Sequence, residues 1–237
     1  MTASARLGRI LVAAGFGPAW AKRAYHDELN MRLLIAFTLS ADSNCIDVGT
    51  HEGRVLADMV RFAPRGKHIA YEPLPHLTAG LTRRFPGVEI RCAAVSNVEG
   101  TSEFVHVKNL PSYSGLKQRD YPSTPDIETI TVRTERLDDH MPDGYVPNLI
   151  KIDVEGAEQL VIEGAIETLK NHQPVVLFEH GRGGSDHYGT TPADIHGLLC
   201  DQAGLRIFDL DGNGPYSLRE FEAIYDRADR WNFVAHR

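Results

Sequence analysis

The chain has 237 residues, of which 42% are hydrophobic, and its formal net charge is −7 at pH 7. This length and composition are sufficient for one domain with a substantial buried core. The negative net charge argues against a nucleic-acid-binding protein, because neutralising phosphates requires a concentrated basic face. A small-molecule or saccharide partner is the better expectation.

Cysteine usage and hydropathy indicate a cytoplasmic protein. Cys45, Cys92 and Cys200 are odd in number and lack metal-site spacing, so we interpret them as reduced thiols. The apolar stretch 10–20 contains Gly15 and Pro18 and is shorter than the about 20 apolar residues that a membrane span needs. We therefore expect neither a transmembrane segment nor a secretory leader.

The first 40 residues are predicted to form a helical cap on a main domain at residues 41–237. A first amphipathic helix is indicated by the spacing of Leu7, Ile10, Leu11 and Ala14. A second helix is predicted over residues 27–39. Its buried face is expected to carry Tyr25, Leu29, Leu33 and Ala36.

In the main domain, hydrophobic strands alternate with helices. Strands are predicted at 44–48, 68–72, 88–95, 149–153, 174–179, 205–210 and 231–236, and helices at 53–62, 75–85, 156–170 and 192–203. This order predicts a Rossmann-like α/β fold, with a mostly parallel sheet, helices on both faces and an antiparallel C-terminal strand. Residues 101–137 interrupt the alternation and are predicted to form an inserted β-hairpin, whose long polar loop is a candidate lid.

Four of the predicted strands end at an acidic residue: Asp47, Glu72, Asp153 and Glu179. The carboxyl ends of parallel strands form the ligand cleft of an open α/β sheet. The four acids are therefore expected to surround one cleft.

The run Asp47-Val-Gly49-Thr-His51-Glu-Gly53 joins a buried strand to a helix start. Its glycines let the backbone approach a ligand closely, at a helix N-terminus that offers hydrogen-bond donors. The G-x-G-x-x-G spacing of a dinucleotide site is missing, and an acid at Asp47 suits a positively charged ligand such as a sulfonium. Downstream, Glu72 can accept the hydroxyls of a ribose, and the small residues around Ala94 leave room for an adenine.

With these motifs the chain resembles the FkbM family of S-adenosylmethionine-dependent methyltransferases. The resemblance rests on residues 47–53, 71–75, 93–96, 150–158 and 177–180, and it covers residues 40–180. It implies a seven-stranded methyltransferase sheet, S-adenosylmethionine as cofactor and O-methylation of a hydroxyl on a sugar, glycan or secondary metabolite. Thr50-His51 departs from the Ala-Asn that similar family members often have after the first glycine. The expected cofactor-binding residues are Asp47, Val48, Gly49, Thr50, His51, Gly53, Glu72, Pro73, Ala94, Val95, Ser96 and Asp153.

Methyl transfer is an in-line displacement, so the enzyme must position an oxygen and help to remove its proton. The candidate catalytic residues are His180, Asp153, Glu155 and Glu179. An imidazole suits proton removal because its ordinary pKa is about 6.5. Alternatively, Asp153, Glu179 and His180 bind a divalent metal ion such as Mg²⁺, which acidifies the acceptor hydroxyl.

Two other functions remain open at this point. One is a nicotinamide-dependent oxidoreductase on a related sheet, and the other is a non-catalytic scaffold that binds the cofactor without turnover. The sequence also leaves open whether the protein forms a homo-oligomer.

Overall fold

The computed structural model describes residues 12–13 and 16–237. The first predicted helix, on Leu7, Ile10, Leu11 and Ala14, lies outside the described residues, and the proposed division at residue 40 stays a prediction. Within the described part of the chain, no helix has the length and apolar character needed to cross a membrane.

A seven-stranded sheet forms the centre of the molecule. The strands of the protein are β1 (Cys45–Val48), β2 (His68–Tyr71), β3 (Glu89–Arg91), β4 (Ala94–Val95), β5 (Gly100–Val107), β6 (Ile127–Glu135), β7 (Leu149–Ile152), β8 (Val175–Glu179), β9 (Arg206–Asp209) and β10 (Asn232–His236). The order in the large sheet is β3-β2-β1-β7-β8-β10-β9, and β10 runs antiparallel to both of its neighbours. The other neighbouring strands are parallel. The predicted mostly parallel α/β sheet is confirmed.

Helices cover both faces of this sheet. They are α1 (Ala19–Thr38), α2 (Arg54–Phe62), α3 (Pro75–Arg84), α4 (Glu158–Gly164), α5 (Ile166–His172), α6 (Ser185–Tyr188), α7 (Pro192–His196) and α8 (Leu218–Arg227), with α7 continuing as a π-helix over Gly197–Gln202. Successive strand residues point to opposite faces. Ile150 and Ile152 therefore pack with α4, α5, α7 and α8, whereas Leu149 packs with α1, α2 and α3.

Helix α1 differs from its prediction in its start and in its buried face. It begins at Ala19 rather than at residue 27, and Leu29 and Leu33 are 42% and 55% exposed. The buried positions include Asp27, whose carboxylate accepts hydrogen bonds from Arg23. Hydrophobic spacing selected the wrong face because a polar residue with a charged partner is buried here.

The predicted strand 88–95 is two strands in two sheets. After β3 the chain bends at Ala93, and β4 pairs with β6 in a small sheet of order β4-β6-β5. Strands β5 and β6 are antiparallel along their length. The segment between them folds back on β5, where the backbones of Val105 and Gly115 exchange hydrogen bonds of 2.8 and 3.1 Å. This return brings the segment to the carboxyl ends of the main strands.

Candidate functional site

Two adjacent cavities lie at the carboxyl ends of β1, β2, β7 and β8. The first has a volume of about 170 Å³ and the second a volume of about 640 Å³. Ser112, Asp153 and Glu155 line both cavities. Two ligands bound side by side would meet at these three residues.

The turn after β1 forms one wall of the first cavity. Gly49 has φ +77°, and a Cβ at this position would lie 1.8 Å from the backbone oxygen of Asp153. Only glycine allows the turn to approach the end of β7 so closely. The backbone N–H groups of Gly49 and Thr50 donate to the carbonyl of Tyr71 at 3.1 and 3.0 Å. The turn thus joins the ends of β1, β2 and β7.

Glu72 faces this cavity from the end of β2. Its carboxylate accepts hydrogen bonds from the backbone N–H groups of His51 at 2.8 Å and Leu74 at 2.9 Å. Burial raises the pKa of Glu72 above its ordinary value. Each carboxylate oxygen keeps a lone pair beyond these bonds, so the group can still accept hydrogen bonds from a ligand.

The rest of the first cavity is mainly apolar. Val48, Leu74, Ala94, Val95 and Phe104 come from the two sheets and the loop after β2. The inserted segment closes the cavity with Pro111, Ser112, Ser114, Gly115 and Leu116. Such a mixture of an apolar wall and a few fixed polar groups is typical of small-molecule sites.

The loop after β7 has an unusual backbone. Glu155 has φ 61°, which is rare for a residue other than glycine, and Gly156 has φ 108°. A Cβ on Gly156 would lie 2.5 Å from the backbone of Gly184, so the loops after β7 and β8 touch. Glu158 stabilises the loop by accepting hydrogen bonds from the N–H groups of Val154 and Gly156 at 3.0 and 3.2 Å. Strained residues of this kind concentrate at functional sites.

The three predicted catalytic acids meet at the second cavity, which Asp153, Glu155 and Glu179 all line. Glu155 forms an ion pair with Arg119 of the inserted segment. Burial, together with the nearby charge of Asp153, raises the pKa of Glu155 to about 8. Burial and then the charges of Asp153 and Glu155 raise the pKa of Glu179 well above its ordinary value. Two of the three acids therefore have pKa values above the ordinary value of a carboxyl group.

Lys151 is buried beneath the two cavities and lines neither of them. It is not among the candidate site residues predicted from the sequence. Its Nζ donates to the carbonyl of Gly49 at 2.7 Å and lies 3.4 Å from carboxylate oxygens of Asp47 and Asp153. A signal was present, because a lysine inside an apolar strand needs a buried partner. Asp47 occupies the corresponding position of the neighbouring strand.

His180, which is predicted as a catalytic base, lines neither cavity. Its side chain is buried, and its ring stacks on those of Tyr225 and Phe221 with centroid distances of 5.0 and 5.5 Å. Its Nδ1 lies 3.1 Å from the hydroxyl of Ser185. Burial lowers the pKa of His180 to about 4. Helix α8, which supplies the two aromatic rings, removes this imidazole from both cavities.

The predicted metal site is not formed by Asp153, Glu179 and His180. Among the described residues, the group whose ligand atoms all lie within 4.8 Å of one another is His26, Asp27 and Asp211. Arg23 already pairs with both of these aspartates. The packing of the His180 ring between aromatic side chains explains why it cannot join the acids.

The predicted cofactor-binding residues fall into two groups. Those that line the first cavity are Val48, Gly49, His51, Glu72, Pro73, Ala94, Val95 and Asp153. Those that do not are Asp47, Thr50, Gly53 and Ser96. Thr50 donates its hydroxyl to the carbonyl of Asp47 at 2.9 Å, Gly53 packs against Leu81 and Phe85, and Ser96 bonds through its N–H to Glu135. The residues of the second group do not face the cavity, and their contacts stabilise the turn after β1 and the ends of the strands.

Comparisons with known proteins identify the family and agree with the fold. Residues 47–206 match the methyltransferase FkbM domain family. The structure is similar to that of the methyltransferase FkbM from Methylobacillus flagellatus KT, with a TM-score of 0.53 and 15% identity over 84% of this chain and 44% of that chain. It is also similar to a candidate rRNA methylase from Clostridium thermocellum, with a TM-score of 0.50 and 7% identity over 89% and 94% of the two chains. At these identities the likeness shows the fold alone, and the chain spans less than half of the FkbM structure. No curated protein sequence matches the chain.

Proposed function

Because the chain belongs to the FkbM methyltransferase family, we propose that it transfers a methyl group from S-adenosylmethionine to a hydroxyl of a sugar, glycan or secondary metabolite. The observation that carries this proposal is the pair of cavities at the strand ends. The first is bounded by a glycine turn and Glu72, and it shares Asp153 and Glu155 with the second. A donor and an acceptor would meet at those shared carboxylates.

The residues that line the first cavity suit S-adenosylmethionine. When bound, it supplies an electrophilic methyl group on a positively charged sulfur. Glu72 is held by two backbone N–H groups in an orientation that lets it accept the ribose hydroxyls. Gly49 leaves the backbone of the turn accessible to the methionine part, and Leu74 and Val95 offer apolar surface to the adenine.

The acceptor would occupy the second cavity, with its hydroxyl at Asp153. As the O–CH₃ bond forms and the S–CH₃ bond breaks, the hydroxyl proton passes to a carboxylate. Asp153 is the candidate base because it lines both cavities and its side chain is 42% exposed. Glu179 also lines the second cavity, and burial raises its pKa above the ordinary value, so a protonated Glu179 would be able to donate a hydrogen bond to the acceptor oxygen.

Calorimetry with S-adenosylhomocysteine tests the cofactor site. The wild type is expected to bind, and Glu72→Gln is expected to weaken binding by about 10- to 100-fold, because a carboxylate acceptor for the ribose is lost. The matched control is Glu103→Gln, which changes an exposed acid on β5 outside both cavities. The absence of wild-type binding at millimolar concentration would refute the cofactor assignment.

Product analysis tests the position of the methyl group. The enzyme is incubated with S-adenosylmethionine and a panel of hydroxylated sugars and polyketides, and products are identified by mass spectrometry and NMR. We expect a methyl ether, formed in equal amount with S-adenosylhomocysteine. A methyl group found on nitrogen or carbon would contradict O-methylation.

A further inference from the structure

Lys151 is the buried lysine of the described chain and lies beneath the proposed site. It is 4% exposed, and its side chain extends from β7 on the same face as Asp47, with which it is paired in register across β1 and β7. Its ammonium contacts the carbonyl of Gly49 and both Asp47 and Asp153. One cation therefore touches the cofactor turn, its buried support and the proposed base.

The charges around Lys151 are unequal. Asp47 is completely buried, and its ion pair is with Lys151. Asp153 is the partly exposed partner. When both carboxylates are ionised, Lys151, Asp47 and Asp153 together have a net charge of −1. Of these three residues, only Asp153 lines the cavities. A buried carboxylate such as Asp47 also requires the cation for its own stability.

We propose that Lys151 is a positioning residue for methyl transfer, which fixes the carboxylate of Asp153 relative to the Gly49 turn. This inference rests on the proposed function. Lys151 lines neither cavity, so it acts through Asp153 and Gly49. Its ammonium holds the acceptor-side base and the donor-side backbone in one rigid unit. Rates of displacement depend steeply on such geometry, because a misplacement of about 1 Å can cost about 100-fold.

The competing interpretation is that Lys151 only neutralises Asp47. The single change Lys151→Met would leave Asp47 buried without a counterion, so loss of folding would obscure the result. The reference is therefore Asp47→Asn, which removes the buried acid and keeps Lys151. The test is Asp47→Asn/Lys151→Met, in which both buried charges are absent. Lys170→Met, an exposed lysine on α5, controls for the loss of a lysine elsewhere.

We expect kcat of the double variant to fall about 100-fold below that of Asp47→Asn, whereas the Kd for S-adenosylhomocysteine changes less than about 10-fold. Asp153→Asn is then added to Asp47→Asn and to Asp47→Asn/Lys151→Met. This comparison distinguishes a Lys151 that positions Asp153 from one that only neutralises Asp47. If Lys151 acts through Asp153, the two losses in kcat are not additive. Equal kcat values for Asp47→Asn and the double variant would overturn the proposal.

A spectroscopic measurement keeps the proposal testable if the double variant does not fold. In a lysine-selective ¹H–¹⁵N NMR spectrum of the wild type, the buried ammonium of Lys151 is expected to give a protected signal, which moves in Asp153→Asn. A signal that does not move would overturn the contact on which the proposal depends. Failure of the proposed function is distinguished by the absence of S-adenosylhomocysteine binding, which leaves this NMR signal unaffected.

Discussion

At the scale of single residues, surroundings decide which titratable groups serve the site. His180 follows a strand end, as a catalytic base would, yet aromatic rings of α8 enclose it. Glu155 and Glu179 are half-buried, and desolvation followed by the charge of Asp153 raises the pKa of both groups. Lys151 connects Asp47 and Asp153 to the Gly49 turn, although it lines neither cavity.

The burial of His180 predicts a pH-dependent stability. Its folded-state pKa of about 4 lies below the unfolded value of about 6.5, so its contribution is fully present above pH 6.5 and is lost as the pH falls through 4. The variant His180→Phe keeps an aromatic ring at this position but has no group that is protonated in this pH range. Between pH 7 and pH 4, the wild type should lose about 3 kcal/mol more free energy of unfolding than the variant.

Urea unfolding at both pH values measures this difference. His172→Phe, an exposed histidine at the end of α5, should show the wild-type dependence. His180→Phe should also retain methyl transfer to within about threefold, because the imidazole lies outside both cavities. A selective collapse of kcat in this variant would restore His180 as the base.

At the scale of elements, the insertion completes the site. Strands β5 and β6 support the segment 108–126, which lines the first cavity with residues such as Leu116 and the second with residues such as Tyr121. Arg119 anchors the segment, because its guanidinium binds Glu155, donates to the carbonyl of Ser112 and stacks over a tyrosine ring. The hairpin thus supports a segment that lines both cavities, which we propose is a lid.

Loss of this anchor should loosen the lid. In Arg119→Met, Glu155 loses its ion pair, and we expect the Kd for S-adenosylhomocysteine to rise about 10-fold, equivalent to about 1.4 kcal/mol. Limited proteolysis should cut within 108–126 faster than in the wild type. Arg83→Met, which replaces an exposed arginine of α3 outside both cavities, is the control. Unchanged affinity and unchanged cleavage in Arg119→Met would show that the lid does not depend on this ion pair.

At the scale of the whole molecule, the sheet order brings distant parts of the chain together. The ends of β1, β2, β7 and β8 belong to neighbouring strands, although residues 72–148 separate β2 from β7 in sequence. Parallel strands place their carboxyl ends at one edge. Four strand-end acids are therefore assigned to a common cleft from the sequence. Glu72, Asp153 and Glu179 line the two cavities, whereas Asp47 is buried and lines neither.

What could not be predicted depends on contacts between distant elements. The packing of α8 on His180 is set by residues 218–227, which no local pattern links to β8. The buried face of α1 depends on the ion pairs of Arg23 with Asp27 and Asp211, which contradict hydrophobic spacing. The sequence predicts that residues 108–126 contain a loop. It does not predict the pairing of Gly115 with Val105, which determines the loop residues that reach the cavities.

A crystal structure with S-adenosylhomocysteine would locate the donor site directly. We predict that the ligand occupies the first cavity, with its ribose hydroxyls within hydrogen-bonding distance of the Glu72 carboxylate and its sulfur facing Asp153 across the boundary with the second cavity. Binding at another place, or with the sulfur directed away from Asp153, would refute the proposed donor and acceptor sites.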